Sequence, residues 1–270
     1  MKQGRYYAVL TGDIIKSSQL SSKQLEAVRS SLLTAVSRVR SWKRGLVRGK
    51  PEFFRGDAWQ LLLADPALAL RVAVFLRASL LAHGLADSRV AIGLGAVEEI
   101  SRDSVSLSTG PAFVLSGKAL DQMTRYSNMT IEVPKAAGAL SDWLPVAAHL
   151  CDSLIGQWTR RQAEIVRAAA HPSEPESEEI GQSLRPAVSK QAVAKALSGA
   201  NWYIVREAVR LFERTSWGSL LQSNPSDNQK QLSLPRQPKK IVSAQTTEKG
   251  CLHPDNRKRL SPPRQPKKVV

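Results

Sequence analysis

The pairs Gly12-Asp13 and Gly56-Asp57 each set a carboxylate at the end or turn of an apolar segment with strong β character. Tyr6-Tyr7-Ala8-Val9-Leu10-Thr11 runs into the first. Phe53-Phe54-Arg55 and Ala58-Trp59-Gln60-Leu61-Leu62-Leu63 flank the second. Two carboxylates brought together in a sheet can hold Mg²⁺ or Mn²⁺ and, through it, nucleotide phosphates. A glycine before each aspartate lets a phosphate or another backbone approach closely. Asp13 and Asp57 are therefore candidate metal ligands. Gly-Asp is also ordinary turn chemistry, and two turn aspartates are the competing reading.

The surrounding elements must deliver those aspartates to one place. A strand from Tyr6 to Ile15 gives way near Ser21-Ser22 to a helix, on which Leu25, Val28, Leu32, Leu33, Val36 and Val39 recur at three and four. Pro51 to Leu63 predicts two short strands bent at Arg55-Gly56-Asp57. Asp65-Pro66 opens a helix, with Asp as N-cap and Pro in the first turn. Arg89 to Val97 is apolar on both faces, as a central strand is. Gly110-Pro111 precedes a helix over 112–124, and Met129 to Val133 is a last strand. The order β-α-β-β-α-β-α-β predicts an α/β (α+β) fold, a ferredoxin-like or palm-type mixed sheet with helices on one face.

From about Ala139 the pattern is helical only. Trp143 to Ile155 carries an apolar stripe, and Thr159-x-x-Gln162 is a capping box. Pro172-Ser173-Glu174-Pro175 breaks the chain, Glu178 to Leu184 resumes it, and Arg185-Pro186-Ala187 is a turn. Ser189 then caps Lys190 to Leu197, and Asn201 starts the helix holding Trp202, Val205, Val209 and Phe212. This is the outline of a helix-turn-helix unit. Val193 and Leu197 face inward with Val188, leaving Ser189, Lys190, Gln191, Ala194 and Lys195 as candidate DNA contacts. Gln can pair with adenine, and Lys can reach guanine or phosphate. A plain helical bundle is the alternative. The connection from Leu184 to Val188 is two residues longer than the tight turn common in such motifs, and Gly181 stands where alanine is usual.

The formal net charge is +16 over 270 residues. Residues 223–270 hold 11 Lys/Arg against 3 Asp/Glu, a net +8, so half of the excess lies in a short tail. There Leu232-Ser233-Leu234-Pro235-Arg236-Gln237-Pro238-Lys239-Lys240 returns as Leu260-Ser261-Pro262-Pro263-Arg264-Gln265-Pro266-Lys267-Lys268. Beyond Ser216 no periodicity survives, and the composition predicts a disordered basic arm. The balance favours polyanionic partners. Apolar residues at 42% suffice for a core. No uncharged apolar run reaches membrane-spanning length, and Cys151 and Cys251 offer neither a disulfide framework nor a zinc spacing. The four histidines are scattered. A cytoplasmic protein with no membrane partner is the expectation.

Thr11-Gly12-Asp13-Ile14-Ile15-Lys16-Ser17-Ser18, then Arg55-Gly56-Asp57-Ala58, then Ile92-Gly93-Leu94-Gly95 resembles the core of class III nucleotide cyclases and their palm-domain relatives. Gly12-Asp13-Ile14 with Gly110-Pro111-Ala112-Phe113 and Trp158-Thr159-x-x-Gln162 is similar to the SatD family of bacterial proteins, over about Tyr6 to Phe212. The resemblance implies a palm-like sheet in which Asp13 and Asp57 match the cyclase metal aspartates, with Gly12, Ile14, Arg55 and Gly56 as nucleotide contacts. It does not imply catalysis. Where cyclases carry an asparagine and an arginine on the helix after the last core motif, this chain has Val114 and Lys118. Where a cyclase lysine reads adenine, it has Phe53.

These readings divide the chain into a palm-like domain over 1–138, a helix-turn-helix domain over 139–216 and a disordered basic tail over 217–270. They describe a SatD-like DNA-binding regulator, possible as a homodimer, whose palm domain takes a divalent metal (Mg²⁺ or Mn²⁺) or a nucleotide. The alternative is a metal-dependent nucleotidyl cyclase or transferase acting through Asp13, Asp57 and Lys118.

Overall fold

The computed structural model describes residues 6–54, 56–101 and 104–222. Arg55 and the duplicated basic segment lie outside the described residues. Five strands, β1 (Tyr6–Ile14), β2 (Val47–Phe54), β3 (Ala58–Leu63), β4 (Ser88–Ala96) and β5 (Met129–Glu132), form one open sheet in the order β2-β3-β1-β4-β5. The central β1 runs antiparallel to β3 and β4, and β5 lies parallel to β4. A parallel neighbour needs a crossover. Helix α3 (Pro111–Gln122) supplies it, while α1 (Ser22–Trp42) links β1 to β2 and α2 (Ala69–His83) links β3 to β4. This is the mixed sheet and element order expected from the sequence.

Local signals explain the boundaries. Ser21 and Gln24 form a reciprocal capping box at the start of α1. The carboxylate of Asp65 accepts the Ala67 N–H at 3.2 Å, where a short 3₁₀ turn leads into α2. Of the stripe expected on α1, Leu33 departs: it lies on the outer face, 43% exposed.

Leu10, Ile14, Leu61, Leu63, Val90 and Ile92 belong to the same core as α1 and α2, on one face of the sheet. Val9 and Leu62 face the other way and meet Ala112 of α3. Helices on one face therefore describe α1 and α2 but not α3. The reason is local. A Cβ at Gly93 would lie 2.3 Å from the Ala112 carbonyl oxygen, so only glycine lets α3 settle on the strand. A buried hydrogen bond between Thr11 and Ser116, 2.9 Å, fixes the contact.

The chain continues as α4 (Leu140–Ile155), α5 (Arg160–Ala169), α6 (Ser177–Ser183), α7 (Lys190–Gly199), α8 (Trp202–Arg214) and α9 (Trp217–Gln222). The last corrects the expectation that order ends at Ser216. Trp217 is buried, its ring 4.5 Å from that of Phe212, and its indole N–H donates to the Phe212 carbonyl at 2.9 Å. Leu221 is buried in the same core, so two apolar side chains hold a turn of helix that is too short to show a period.

Helix α4 packs on β5 and α5 on α2, so α2 is covered on nearly every side. The stretch Pro66–His83, mean hydropathy 1.4, is long and apolar enough to cross a membrane, yet 72% of it is buried inside this protein. Two arginines interrupt it. Arg77, fully buried, donates to Asp87 from Nε at 3.0 Å and to Asp152 of α4 from Nη1 at 2.6 Å. Arg71 donates from Nη2 to Glu213 of α8 at 2.8 Å and to Glu174 at 2.9 Å. Arg210 closes on the same Glu174 carboxylate. Glu174 itself sits at φ 47°, a left-handed conformation unfavourable for a side-chain-bearing residue, and its arginine partners hold it there.

Removing one partner of a buried ion pair leaves the other charged and desolvated. Asp152→Ala, which leaves Arg77 with Asp87 alone and takes the acceptor from the Asn128 N–H, is expected to lower unfolding stability by about 1–3 kcal/mol in urea titrations. Glu174 adds a pH dependence. The hydrogen bond from Arg210 holds its carboxyl down to about 2, from an ordinary 4.5, with burial opposing and Arg71 assisting. A depressed carboxylate stabilises the fold fully above its unfolded pKa and loses that contribution as pH falls toward the folded value. Wild type should exceed Glu174→Gln by about 2 kcal/mol near pH 6, with the gap closing between roughly pH 4.5 and pH 2.

Candidate functional site

Strand pairing brings the two Gly-Asp pairs together. Asp13 is in register with Ala58 on one side and Arg89 on the other, and the Ile14 N–H donates to the Asp57 carbonyl at 3.2 Å. The aspartates therefore sit side by side at one edge of the sheet, as their sequence setting predicts. What surrounds them was not legible.

Arg89 grips Asp13 with two nitrogens, Nε to Oδ1 at 2.8 Å and Nη2 to Oδ2. This is a fork-to-fork pair that occupies both carboxylate oxygens. The bond to Asp13 raises the guanidinium's pKa above its ordinary value against the pull of burial, and the charges of Asp57 and Asp121 add to the effect. Asp57 accepts a hydrogen bond from the Ser17 hydroxyl on Oδ2. Among the described residues, no group of three or more His, Cys, Asp or Glu side chains is placed to share a metal ion. A divalent cation would have to displace a guanidinium that already neutralises Asp13. The residues as arranged do not fit a bound metal.

The glycines also have structural occupants. A Cβ on Gly12 would lie 2.4 Å from the Arg89 carbonyl and 2.6 Å from the Trp59 indole. That indole is buried and donates to Ser88 at 2.8 Å, which in turn donates to the Asp13 carbonyl at 2.6 Å. Gly12 thus makes room for a tryptophan. Gly56, at φ 95°, forms the turn between β2 and β3, and its carbonyl accepts from Arg29 Nε at 3.0 Å. Ile14 is a core side chain. Lys118 and Val114 lie on the exposed side of α3. Arg89 is the residue that sequence reading missed. It heads the apolar run of β4, where the sequence marks only the start of a strand.

The second candidate is the α5–α6–α7 unit. Ile165, Ala169, Ile180, Leu184, Val193 and Leu197 are buried together with Trp202 of α8. The irregular turn and Gly181 explain one another. Val188 folds back so that its N–H donates to the Gly181 carbonyl at 3.1 Å, and its own carbonyl would lie 2.3 Å from a Cβ at 181. Only glycine tolerates that return. Ser189 is exposed, but its hydroxyl is taken up in capping the Ala192 N–H at 3.2 Å. Lys190, Gln191 and Lys195 are exposed, and Ala194 is half-buried. Trp158 and Trp202 are core residues. The Trp158 N–H donates to the Ala200 carbonyl at 2.7 Å.

No protein-family model matches the chain, and no curated protein matches it. Among solved structures, the chain is similar to the crystal structure of the guanylyl cyclase Cya2, with 18% identity over 48% of this chain and 77% of that chain, at a TM-score of 0.33. A likeness at that identity and score says nothing of what this chain binds or does. The SatD resemblance stands on its short motifs alone.

If Arg89 excludes a cation, wild-type protein should leave the electron paramagnetic resonance spectrum of millimolar Mn²⁺ unchanged. Arg89→Gln, which frees Asp13 beside Asp57, should gain a bound-Mn²⁺ signal that Asp13→Asn in the same background removes. Binding by the wild type that is lost in Asp13→Asn would restore the metal reading.

Proposed function

We propose that this chain binds DNA through α7, presented by a helix-turn-helix-type unit of α5, α6 and α7. The observation that carries it is the two-sidedness of α7. Val193 and Leu197 are buried, while Lys190, Gln191 and Lys195 stand in solvent with no carboxylate bonded to them among the described residues. A recognition helix needs such a face: an apolar side that seats it and an outer side of donors for phosphate and base edges. The excess of 39 Lys/Arg over 23 Asp/Glu supports the same partner by long-range attraction.

A metal-dependent nucleotidyl cyclase or transferase draws no support from the sheet edge, where Arg89 occupies Asp13 and Lys118 points to solvent. The sheet serves in this proposal as the body that carries α5 through its packing on α2.

The test is fluorescence anisotropy of the full chain on duplex DNA across a salt series. Lys190→Ala with Lys195→Ala should weaken binding about 10-fold or more and reduce the slope of log K against log salt by about 2. Gln191→Ala should flatten differences between sequences more than it weakens binding overall. Affinity unchanged when Lys190→Ala, Gln191→Ala and Lys195→Ala are combined, but lost when residues 224–270 are removed, would overturn the assignment to α7.

A further inference from the structure

Most buried charge in this protein is matched: Arg71 and Arg77 each meet two carboxylates. Arg167 of α5 is not. It is half-buried and shares a groove with the exposed Arg38 of α1, and neither guanidinium has a hydrogen-bonded or ion-paired carboxylate among the described residues. The acid nearest in sequence, Glu164, is bonded to Arg161. Burial, and then the neighbouring Arg38, pull the Arg167 pKa below its ordinary value, with Glu164 opposing. Two like charges held together without a counterion are unfavourable unless something anionic joins them.

The space around the pair is shaped for such a guest. On one side both arginines line a cavity of about 280 Å³ with Ser30, Ser31 and Thr34 of α1 and Ser79 and His83 of α2, and no carboxylate lines it. On the other side they line a cavity of about 370 Å³ whose wall is aromatic and apolar. There Trp42 stands edge-on to Phe75, with ring centres 4.9 Å apart, and to His171, 5.8 Å apart. Ile180 adds apolar surface, and the exposed Glu179 is the one carboxylate in that lining. One chamber thus offers hydroxyls, the other flat apolar surface, and two guanidiniums stand at both. The second alone falls in the size range of small-ligand sites.

We propose that this groove between α1, α2 and α5 binds a small molecule joining a phosphate monoester to a planar ring, a mononucleotide being representative. Arg38 and Arg167 hold the phosphate, whose two negative charges suit paired forks better than a single carboxylate does. The Ser30 and Ser31 hydroxyls complete its hydrogen bonds, those of Ser79 and Thr34 being donated to their own helices, and the ring lies in the chamber walled by Trp42, Phe75 and Ile180. The site is separate from the sheet edge at Asp13 and independent of the DNA contacts on α7.

Isothermal titration calorimetry of the full chain with each of the four ribonucleoside 5′-monophosphates, the parent nucleosides and inorganic phosphate tests it. At least one monophosphate should bind with 1:1 stoichiometry, with its nucleoside and inorganic phosphate each about 10-fold or more weaker. Arg38→Met and Arg167→Met should each reduce that affinity about 10-fold or more. Arg167→Met should also raise the melting temperature of the free protein, since it removes an unmatched charge. An arginine serving the fold would lower it. The proposal fails if no monophosphate binds at millimolar concentration, or if binding survives both substitutions. It fails equally if inorganic phosphate binds as tightly as the monophosphates, or if Arg89→Gln abolishes binding, which would place the ligand at the sheet edge.

Discussion

The fully buried guanidinium of Arg77 is the interaction on which the arrangement of this molecule depends. It lies in the most apolar helix of the chain and reaches Asp87, just before β4, and Asp152 on α4. Asp152 also accepts the Asn128 N–H at 2.6 Å, just before β5. One side chain thereby aligns the entry to two parallel strands with the first helix of the C-terminal half. Arg71, six residues earlier and on a different face of the same helix, does the equivalent for α8 and the loop at Glu174. An apolar contact could have supplied similar free energy, but it would not have chosen one orientation. A planar fork with two fixed acceptors does so through its directionality.

Both candidate sites inherit that geometry. At the sheet edge the two aspartates arrive together because β1 and β3 are neighbours, and the same pairing places Arg89 of β4 against Asp13. A layout that suggests a metal seat is thereby neutralised by its own third strand. In the helical half, α5 is held against α2, so α6 and α7 project from a rigid base with their apolar sides turned inward. The arginine pair at the α1–α5 junction lies where these two halves meet, and it is the opposite case from Arg77. Here charge is brought together and left unmatched.

Much of the fold was legible along the chain. The capping boxes at Ser21 and Thr159, the Asp65-Pro66 helix start and the apolar β-forming runs of β1, β3 and β4 are local signals, and each appears at or within a few residues of its expected place. The misses share a cause. Leu33 faces outward because α1 carries more apolar residues than one buried face needs. Helix α3 crosses the sheet because of a glycine on another strand, and α9 is held by Trp217 and Leu221 buried in the main core. None of these has a period to read.

The sequence by itself determined the element order, the helix caps, the two Gly-Asp pairs at strand ends and an α7 with a basic outer face. These follow from spacing, side-chain volume and the conformational limits of glycine and proline, which act within a few residues. Only the tertiary structure decided what the charges would do. Asp13 meets Arg89 across 76 residues of chain, Arg77 meets Asp152 across 75, and Arg38 shares a groove with Arg167 with no carboxylate bonded to either among the described residues. Whether a charged side chain is a ligand, a staple or an open site depends on which partner the fold delivers within hydrogen-bonding distance.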